Sequence, residues 1–502
     1  MSTINNTARF SYPIPYMATI AMHEHAMHEQ KEDNPRQAEF HTHYNCWAER
    51  LHQLSEALLL PARTNAQWLA RVIQPLPGEH KDYHPLLQIT ARIAFLALWL
   101  LTTPAALLSA LIGLPLRCID QSYRPAIGYI DNSTNAPSKH KDDLTLTPEQ
   151  PLHIRSHNLG FVSSTMSILG DLRPPVERAK ELVTSISEDP QAPDIIFFQE
   201  AFHEDATKIL CEGIKQQYPY IVHSIAPHIS GFNSGALVAS KYPLKEVSFH
   251  RLDHMVGPEK ASPRGLVRVR LETSQGTLLL YGAHTQALLG KERAEAREKQ
   301  LQDISDKLQA DRDNDSPIPQ VLVGDLNTSG LTAWGEDNKY PPGQPETEVL
   351  EKLEEEFDDL HLRDHGEFGY RTDGAGYAHF LEKDNERLEQ PRLTEPLGSW
   401  YHGPFADPGL LLSWKMRYDR WKHGYPASKP FRSLGKSTWG TSAWHGEQAA
   451  RSARFDYILL PKGVDLLDGR VEIRRVIVPK GAQSASSDHL PVDARIWRKQ
   501  PS

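Results

Sequence analysis

Between residues 152 and 498 the chain alternates short, strand-length apolar runs with longer amphipathic stretches. That alternation restricts it to sheets covered by helices. Strands are expected at Leu152–Ser156, Asp194–Gln199, Ser234–Ala239, Leu266–Leu271, Thr277–Ala283, Gln320–Gly324, Phe455–Leu460 and Val471–Val478. Helices are expected at Pro175–Glu188, Ala206–Gln217 and Glu292–Leu308. So many strands with helices outside them predict a two-layered sheet sandwich of α+β class.

Polar residues at the ends of these runs form an ordered set: His157-Asn158, Gln199-Glu200, Gly282-Ala283-His284, Gly324-Asp325-Leu326-Asn327 and Ser487-Asp488-His489. All but the last follow an apolar run, and the last leads into one. Singly, each reads as a strand-end cap or a turn. Together they supply the carboxylates, carboxamides and imidazoles needed to hold Mg²⁺ against a phosphate ester and drive water into it. A carboxylate such as Glu200 at the end of a buried strand is costly unless it is paired or binds a cation. The carboxamide oxygen of Asn158 beside it makes a hard-oxygen site suited to Mg²⁺ with retained waters. His284 can donate to a phosphoryl oxygen as charge develops there. Asp325 and Asn327, two apart on an extended segment, are expected to enter one pocket, the alternative being a simple Asx turn. Asp456, on a strand edge, can orient one nitrogen of His489 and leave the other to take a proton from water. Asp488 then neighbours the metal.

The N-terminal third differs. Residues 1–84 are histidine-rich and read as a solvated, partly helical surface. From Ile93 to Leu116 there is no charged residue. About 24 residues at ~1.5 Å each make a helix of ~36 Å, long enough for a hydrocarbon core of ~30 Å. Pro104 sits in the middle, and an interior proline removes a donor and clashes one turn back. The run is therefore expected to be a re-entrant or in-plane hairpin flanked by Arg92 and Arg117. A kinked spanning helix and a buried core helix pair are the alternatives. The expected organisation is an N-terminal helical region at 1–117, a linker or collar at 118–150, and a catalytic domain at 151–498. An aromatic-rich insertion at 331–450 is either a functional loop region or a self-packed elaboration.

The formal net charge of −9 argues against a dedicated nucleic-acid binder. Cys46, Cys118 and Cys211 lie far apart, and no pair has metal-ligand spacing. They read as reduced thiols, which favours a cytosolic leaflet, although a secreted toxin acting on a foreign cell would present the same pattern. Met1 to Tyr16 lacks the basic-then-apolar pattern of a secretory signal.

As an ordered set, the motifs from about Pro151 to Trp497 resemble the endonuclease/exonuclease/phosphatase superfamily. The resemblance implies a DNase I-like four-layer α/β sandwich behind the N-terminal membrane-associating segment. It implies that Asn158, Glu200 and Asp488 hold the metal, that His284, Asp325 and Asn327 bind phosphate and orient water, and that Asp488-His489 carries the base. Within the superfamily, Phe232-Asn233-Ser234-Gly235-Ala236-Leu237-Val238-Ala239-Ser240-Lys241-Tyr242-Pro243 is similar to a stretch of the membrane-associated neutral sphingomyelinases. So are the uncharged segment ending in Gly113-Leu114-Pro115-Leu116 and the following Tyr123-Arg124-Pro125. Vertebrate members carry an Asp and a Lys proposed as a local switch; Glu259 and Arg264 stand at the corresponding places here, and Arg differs from Lys in donor geometry. The implied activity is Mg²⁺-dependent (Mn²⁺ also fitting) hydrolysis of sphingomyelin or a related choline phospholipid at a membrane surface, with an anionic lipid as a conceivable activator. A nuclease or inositol-phosphate phosphatase of the same superfamily is the alternative. A vestigial, membrane-docked scaffold is the non-enzymatic one.

Overall fold

The structure is a computed structural model. It describes residues 46–73, 85–123, 127–139, 143–169, 173–226, 232–287, 291–313, 318–328, 345–360, 363, 456–462, 466–473 and 491–499. All of these lie in one compact unit, Glu39–Ser502.

The chain begins with two long helices, α1 (Cys46–Ile73) and α2 (Pro85–Tyr123). Strands β1 (Gly128–Asp131) and β2 (Leu152–Asn158) follow, then helices α3 (Ser164–Leu169) and α4 (Pro175–Ser187). Next come β3 (Ile195–Gln199), α5 (Glu204–Ile214), β4 (Tyr220–His223), β5 (Leu237–Ser240), β6 (Leu244–Arg251), β7 (Gly265–Thr273) and β8 (Gly276–His284). The remainder is α6 (Lys291–Asp313), β9 (Gln320–Asp325), α7 (Pro345–Glu356), β10 (Phe357–Asp359), β11 (Asp456–Pro461), β12 (Leu467–Ile473) and β13 (Val492–Arg498).

The strands form two sheets, one ordered β1-β4-β5-β3-β2-β13-β12 and the other β10-β11-β9-β8-β7-β6. Each has one parallel pair, β2 with β3 and β8 with β9; the other pairings are antiparallel. The inner faces meet in a core that includes Ile154, Phe197 and Val238 from the first sheet and Val267, Leu280, Val323 and Ile458 from the second. Outside the second sheet, Ile304 and Leu308 of α6 and Leu353 of α7 cover Leu279, Tyr281 and Leu322. Outside the first, α4 and α5 pack on each other and bury Ala179, Leu182, Ile186, Ala206, Leu210 and Ile214. The layers therefore run helix, sheet, sheet, helix. The unbroken apolar runs of β3 and β9 follow from this, because a strand covered on both faces has no solvated side to mark with polar residues.

Several expectations change. Pro104 does not break the apolar run: α2 is one helix through both Pro104 and Pro115. The turn before Pro104 is supported by side chains. Thr102 donates to Leu98 O at 2.8 Å, Thr103 to Trp99 O at 2.7 Å, and Asn65 Nδ2 to Trp99 O at 2.8 Å. These bonds brace the turn just before the proline, whose own missing donor would have served Leu100 O. The hairpin lies between α1 and α2, antiparallel, with Leu59 beside Gly113 and Trp68 stacked on Phe95 at 5.7 Å. The stretch 118–150 is more than a linker. It completes α2, contributes edge strand β1, and sends Leu144 and Leu146 into the core. Within 331–450, α7 packs on α6 and β10 adds an edge to β11; the rest of that insertion lies outside the described residues. β12 runs from Leu467 to Ile473, and residues 474–478 also lie outside the described residues.

Candidate metal centre

The carboxyl ends of both parallel strand pairs carry the candidate residues. Asn158 ends β2 opposite Gln199 of β3, so Glu200 begins just beyond. His284 ends β8 opposite Asp325, the last residue of β9. Asp456 opens β11 opposite Asp325 on its other side. His284, Asp325 and Asp456 thus lie level across three adjacent strands.

Across the two sheets, one ligand atom each from Glu200, His284 and Asp325 falls within 4.8 Å of the others. His284 Nε2 is 3.7 Å from both Glu200 Oε1 and Asp325 Oδ2. Asp325 and His284 are buried, and Glu200 is partly open. Two carboxylates brought this close repel unless a cation stands between them or donors hold them. Asp325 has such donors, with Asn158 Nδ2 on Oδ2 at 2.8 Å and the Asn327 backbone N–H on Oδ1 at 2.9 Å. The cluster fits a divalent cation that takes oxygen ligands, and an imidazole nearby is compatible with Mn²⁺ as well as Mg²⁺.

Asn158, expected as a ligand, lies beside the cluster: its Oδ1 accepts the Gly160 N–H at 3.0 Å and its Nδ2 donates to Asp325 Oδ2 at 2.8 Å. The strand-alternation argument for Asp325 and Asn327 also fails, because β9 ends at Asp325 and Asn327 sits beyond it at φ 50°. What joins them is the Asx turn, in which Asp325 Oδ1 caps the N–H two residues on. Asn327 Nδ2 points to Thr285 O at 3.3 Å. Asp488 and His489 lie outside the described residues.

Arg264 is the neighbour that spacing alone did not place. Buried just before β7, it donates to His284 Nε2 and, at 2.7 Å, to Thr285 O. A guanidinium only donates, so His284 Nε2 is an acceptor here and the ring proton sits on Nδ1. Arg264 Nη2 also pairs with Glu259 at 2.6 Å. Glu259 accepts from Ala287 N–H at 3.0 Å and from Gln286 Nε2. The backbone N–H of Gln286 donates to Gln300 of α6 at 2.8 Å. No local signal marks this chain of contacts, because it depends on Leu266 lying opposite Ala283 in the β7–β8 register.

The two stacked sheets and their strand-end carboxylates define a class: a four-layer α+β sandwich with a candidate cation site at one edge. Residues 156–489 match the Endonuclease/Exonuclease/phosphatase family, and the chain belongs to that family. Among curated relatives, it is 29% identical over 150 residues to a Sphingomyelinase C of Leptospira interrogans, covering 27% of this chain and 26% of the relative. It is 28% identical over 219 residues to a Phospholipase C of Staphylococcus aureus, covering 40% of this chain and 62% of the relative. The chain thus spans under two thirds of the length of either. Among solved structures, Sphingomyelinase C from Streptomyces griseocarneus overlays with a TM-score of 0.42 at 17% identity, over 70% of this chain and 99% of that one. Both free cysteines described, Cys118 and Cys211, stand apart from the site, and burial pushes the Cys211 thiol up.

Proposed function

We propose that this chain is a metal-dependent phosphodiesterase of phospholipase C type. It hydrolyses sphingomyelin, or a related choline phospholipid, to ceramide or diacylglycerol and phosphocholine. The observation that carries the reading is the convergence of Glu200, His284 and Asp325 from two sheets in a chain of this family. The relatives named Sphingomyelinase C and Phospholipase C support the substrate class.

Glu200 and Asp325 hold the cation, Mg²⁺ or Mn²⁺, and Asn158 keeps Asp325 aimed at it. When bound, the cation supplies Lewis-acid polarisation of a phosphoryl oxygen. His489 takes a proton from the attacking water, and Asp456 orients its ring. The water oxygen bonds to phosphorus opposite the ceramide or diacylglycerol oxygen as the bond from phosphorus to that oxygen breaks, and the leaving alkoxide takes a proton from solvent. Asn327 and the Arg264 guanidinium stabilise the charge on the phosphoryl oxygens, and His284, whose Nε2 accepts from Arg264, holds that guanidinium in place. Asp488 supports the base and the metal.

The reaction takes place at a membrane surface. One helix among the described residues, over Leu86–Asp120, is long and apolar enough to cross a bilayer, and little of it is buried. Hydrolysis of labelled sphingomyelin in mixed micelles tests the reading. Wild type should release phosphocholine with Mg²⁺ and stop with chelator, and His489→Ala should be about a thousandfold slower. No release from wild type rejects the proposal, and plasmid nicking without lipid hydrolysis redirects it to a nuclease.

A further inference from the structure

The metal centre accounts for the phosphate end of the substrate and leaves its cation to other chemistry. Asn327 and Arg264 are donors, suited to phosphoryl oxygens. A quaternary ammonium carries no N–H, so no acceptor can hydrogen-bond to it. Aromatic ring faces recognise such a group by attraction to the ring quadrupole.

Two phenylalanines adjoin the Glu200 segment. Phe202 stands two positions after Glu200, and its ring meets that of Phe232 at a centroid distance of 6.1 Å and an interplanar angle of 85°. Two rings set at right angles make a corner. Phe161, Phe197 and Phe198 are at most 2% exposed, whereas Phe202 and Phe232 each keep part of their surface open. Ring surface left in water forgoes burial worth about 25 cal/mol per Å², which favours a ligand-binding use over a packing one.

Backbone contacts hold the pair in place. The Ala201 N–H donates to Gly235 O at 2.8 Å, joining the peptide after Glu200 to the turn that carries Phe232. Within that turn Asn233 Oδ1 accepts the Gly235 N–H at 2.7 Å, and the Ser234 N–H donates to Ile225 O at 2.8 Å. Ser262 Oγ, two positions before Arg264, donates to Asn233 O at 3.0 Å. Gly235 sits at φ 71°, and a Cβ there would strike the Phe202 ring, so the turn closes on that ring only as glycine. The turn is thus strapped to the Glu200 segment on one side and to the Arg264 segment on the other. Two residues of extended chain reach roughly 7 Å, comparable with the span from a phosphoryl group to the ammonium of its own choline.

We propose that Phe202 and Phe232 form the headgroup subsite and take the trimethylammonium of choline against their rings. The inference rests on the phospholipase C-type reading above and supplies its headgroup specificity. A primary ammonium, as in ethanolamine, is a compact and strongly hydrated charge that loses more on entering an apolar corner. The pair therefore selects choline over ethanolamine.

The test uses the full chain in mixed micelles with Mg²⁺ and three diesters: sphingomyelin, ceramide phosphoethanolamine, and bis(p-nitrophenyl) phosphate, a soluble diester without a cation. Wild type should show a kcat/KM about tenfold or more higher on sphingomyelin than on ceramide phosphoethanolamine. Phe232→Leu and Phe202→Leu keep much of the apolar volume and remove the ring. Each should cut that preference about tenfold, chiefly through KM for sphingomyelin, and lose about fivefold more on sphingomyelin than on the soluble diester. Phe232→Trp, whose ring attracts a cation more strongly, should keep the preference. Should Phe202→Leu fail to fold, Phe232→Leu, which lies outside any helix or strand, decides the comparison. No preference in wild type, a preference untouched by loss of the Phe232 ring, or equal losses on all three diesters overturns the proposal. If wild type hydrolyses none of the three, the functional reading fails, and calorimetry with phosphocholine and phosphoethanolamine then decides alone. Tighter binding of phosphocholine that Phe232→Leu abolishes supports the subsite; equal binding of the two overturns it.

Discussion

Glu200 and Asn327 hold φ of 58° and 50°, and Gly324, just before Asp325 in β9, holds 148°. The first two lie just beyond the ends of β3 and β9, where side chains enter the candidate metal centre. At Gly324 a Cβ would drive into the Ala283 carbonyl of the paired strand, so the position requires glycine on both counts. Gly324→Ala should destabilise the protein by on the order of 3 kcal/mol, read from urea unfolding. Asp325→Asn keeps the Asx turn but removes a charge from the cation's place. It should lower kcat by about a hundredfold or more and weaken Mg²⁺ binding measured by calorimetry.

At the scale of elements, the β2–β13 pairing contains a buried ionic join. Arg155 Nε meets Asp493 Oδ1 at 2.6 Å, its Nη2 meets Asp493 Oδ2 and Asp189 Oδ2, each at 2.9 Å, and His153 Nε2 meets Asp493 Oδ2 at 2.8 Å. Burial alone would raise the Asp493 carboxyl, but the Arg155 and His153 hydrogen bonds and charges outweigh it and hold it down at about 2. A carboxyl lowered in the folded state stabilises fully above its unfolded pKa, and that contribution is lost as pH falls through the folded value. About 2 kcal/mol should therefore disappear between roughly pH 4 and pH 2. In Asp493→Asn that acid slope should flatten, and stability at neutral pH should fall by roughly 3 kcal/mol because Arg155 loses its main partner. Denaturant titrations across pH measure both.

For the whole molecule, the exposed face of α2 opposite α1 is the surface offered to lipid. Leu101 is 77% exposed and Leu111 is 73% exposed. Leu101→Asp with Leu111→Asp should cut vesicle co-sedimentation by about tenfold or more, since each Asp costs roughly 3 kcal/mol in a bilayer core. The soluble-diester rate should be unchanged. Equal sedimentation of the variant would mean that the lipid contact lies elsewhere on the chain.

Much of this was legible residue by residue. The β3 run Ile195-Ile196-Phe197-Phe198 announces a strand covered on both faces, and Glu200 after it announces a carboxylate in need of a partner. The Leu-rich β8 and the Val-Leu-Val of β9 point to His284 and Asp325 in the same way. Local chemistry determines such things, because side-chain period and the cost of buried charge act over a few residues. Where those ends meet is another matter. Asn158 reaching Asp325, Arg264 reaching His284 and His52 reaching Glu204 join positions 167, 20 and 152 apart in the chain. Each follows from strand register, sheet stacking or helix docking, which are settled only when the whole apolar surface is buried at once. The passage of α2 through Pro104 belongs with them, since part of its support is an asparagine on another helix.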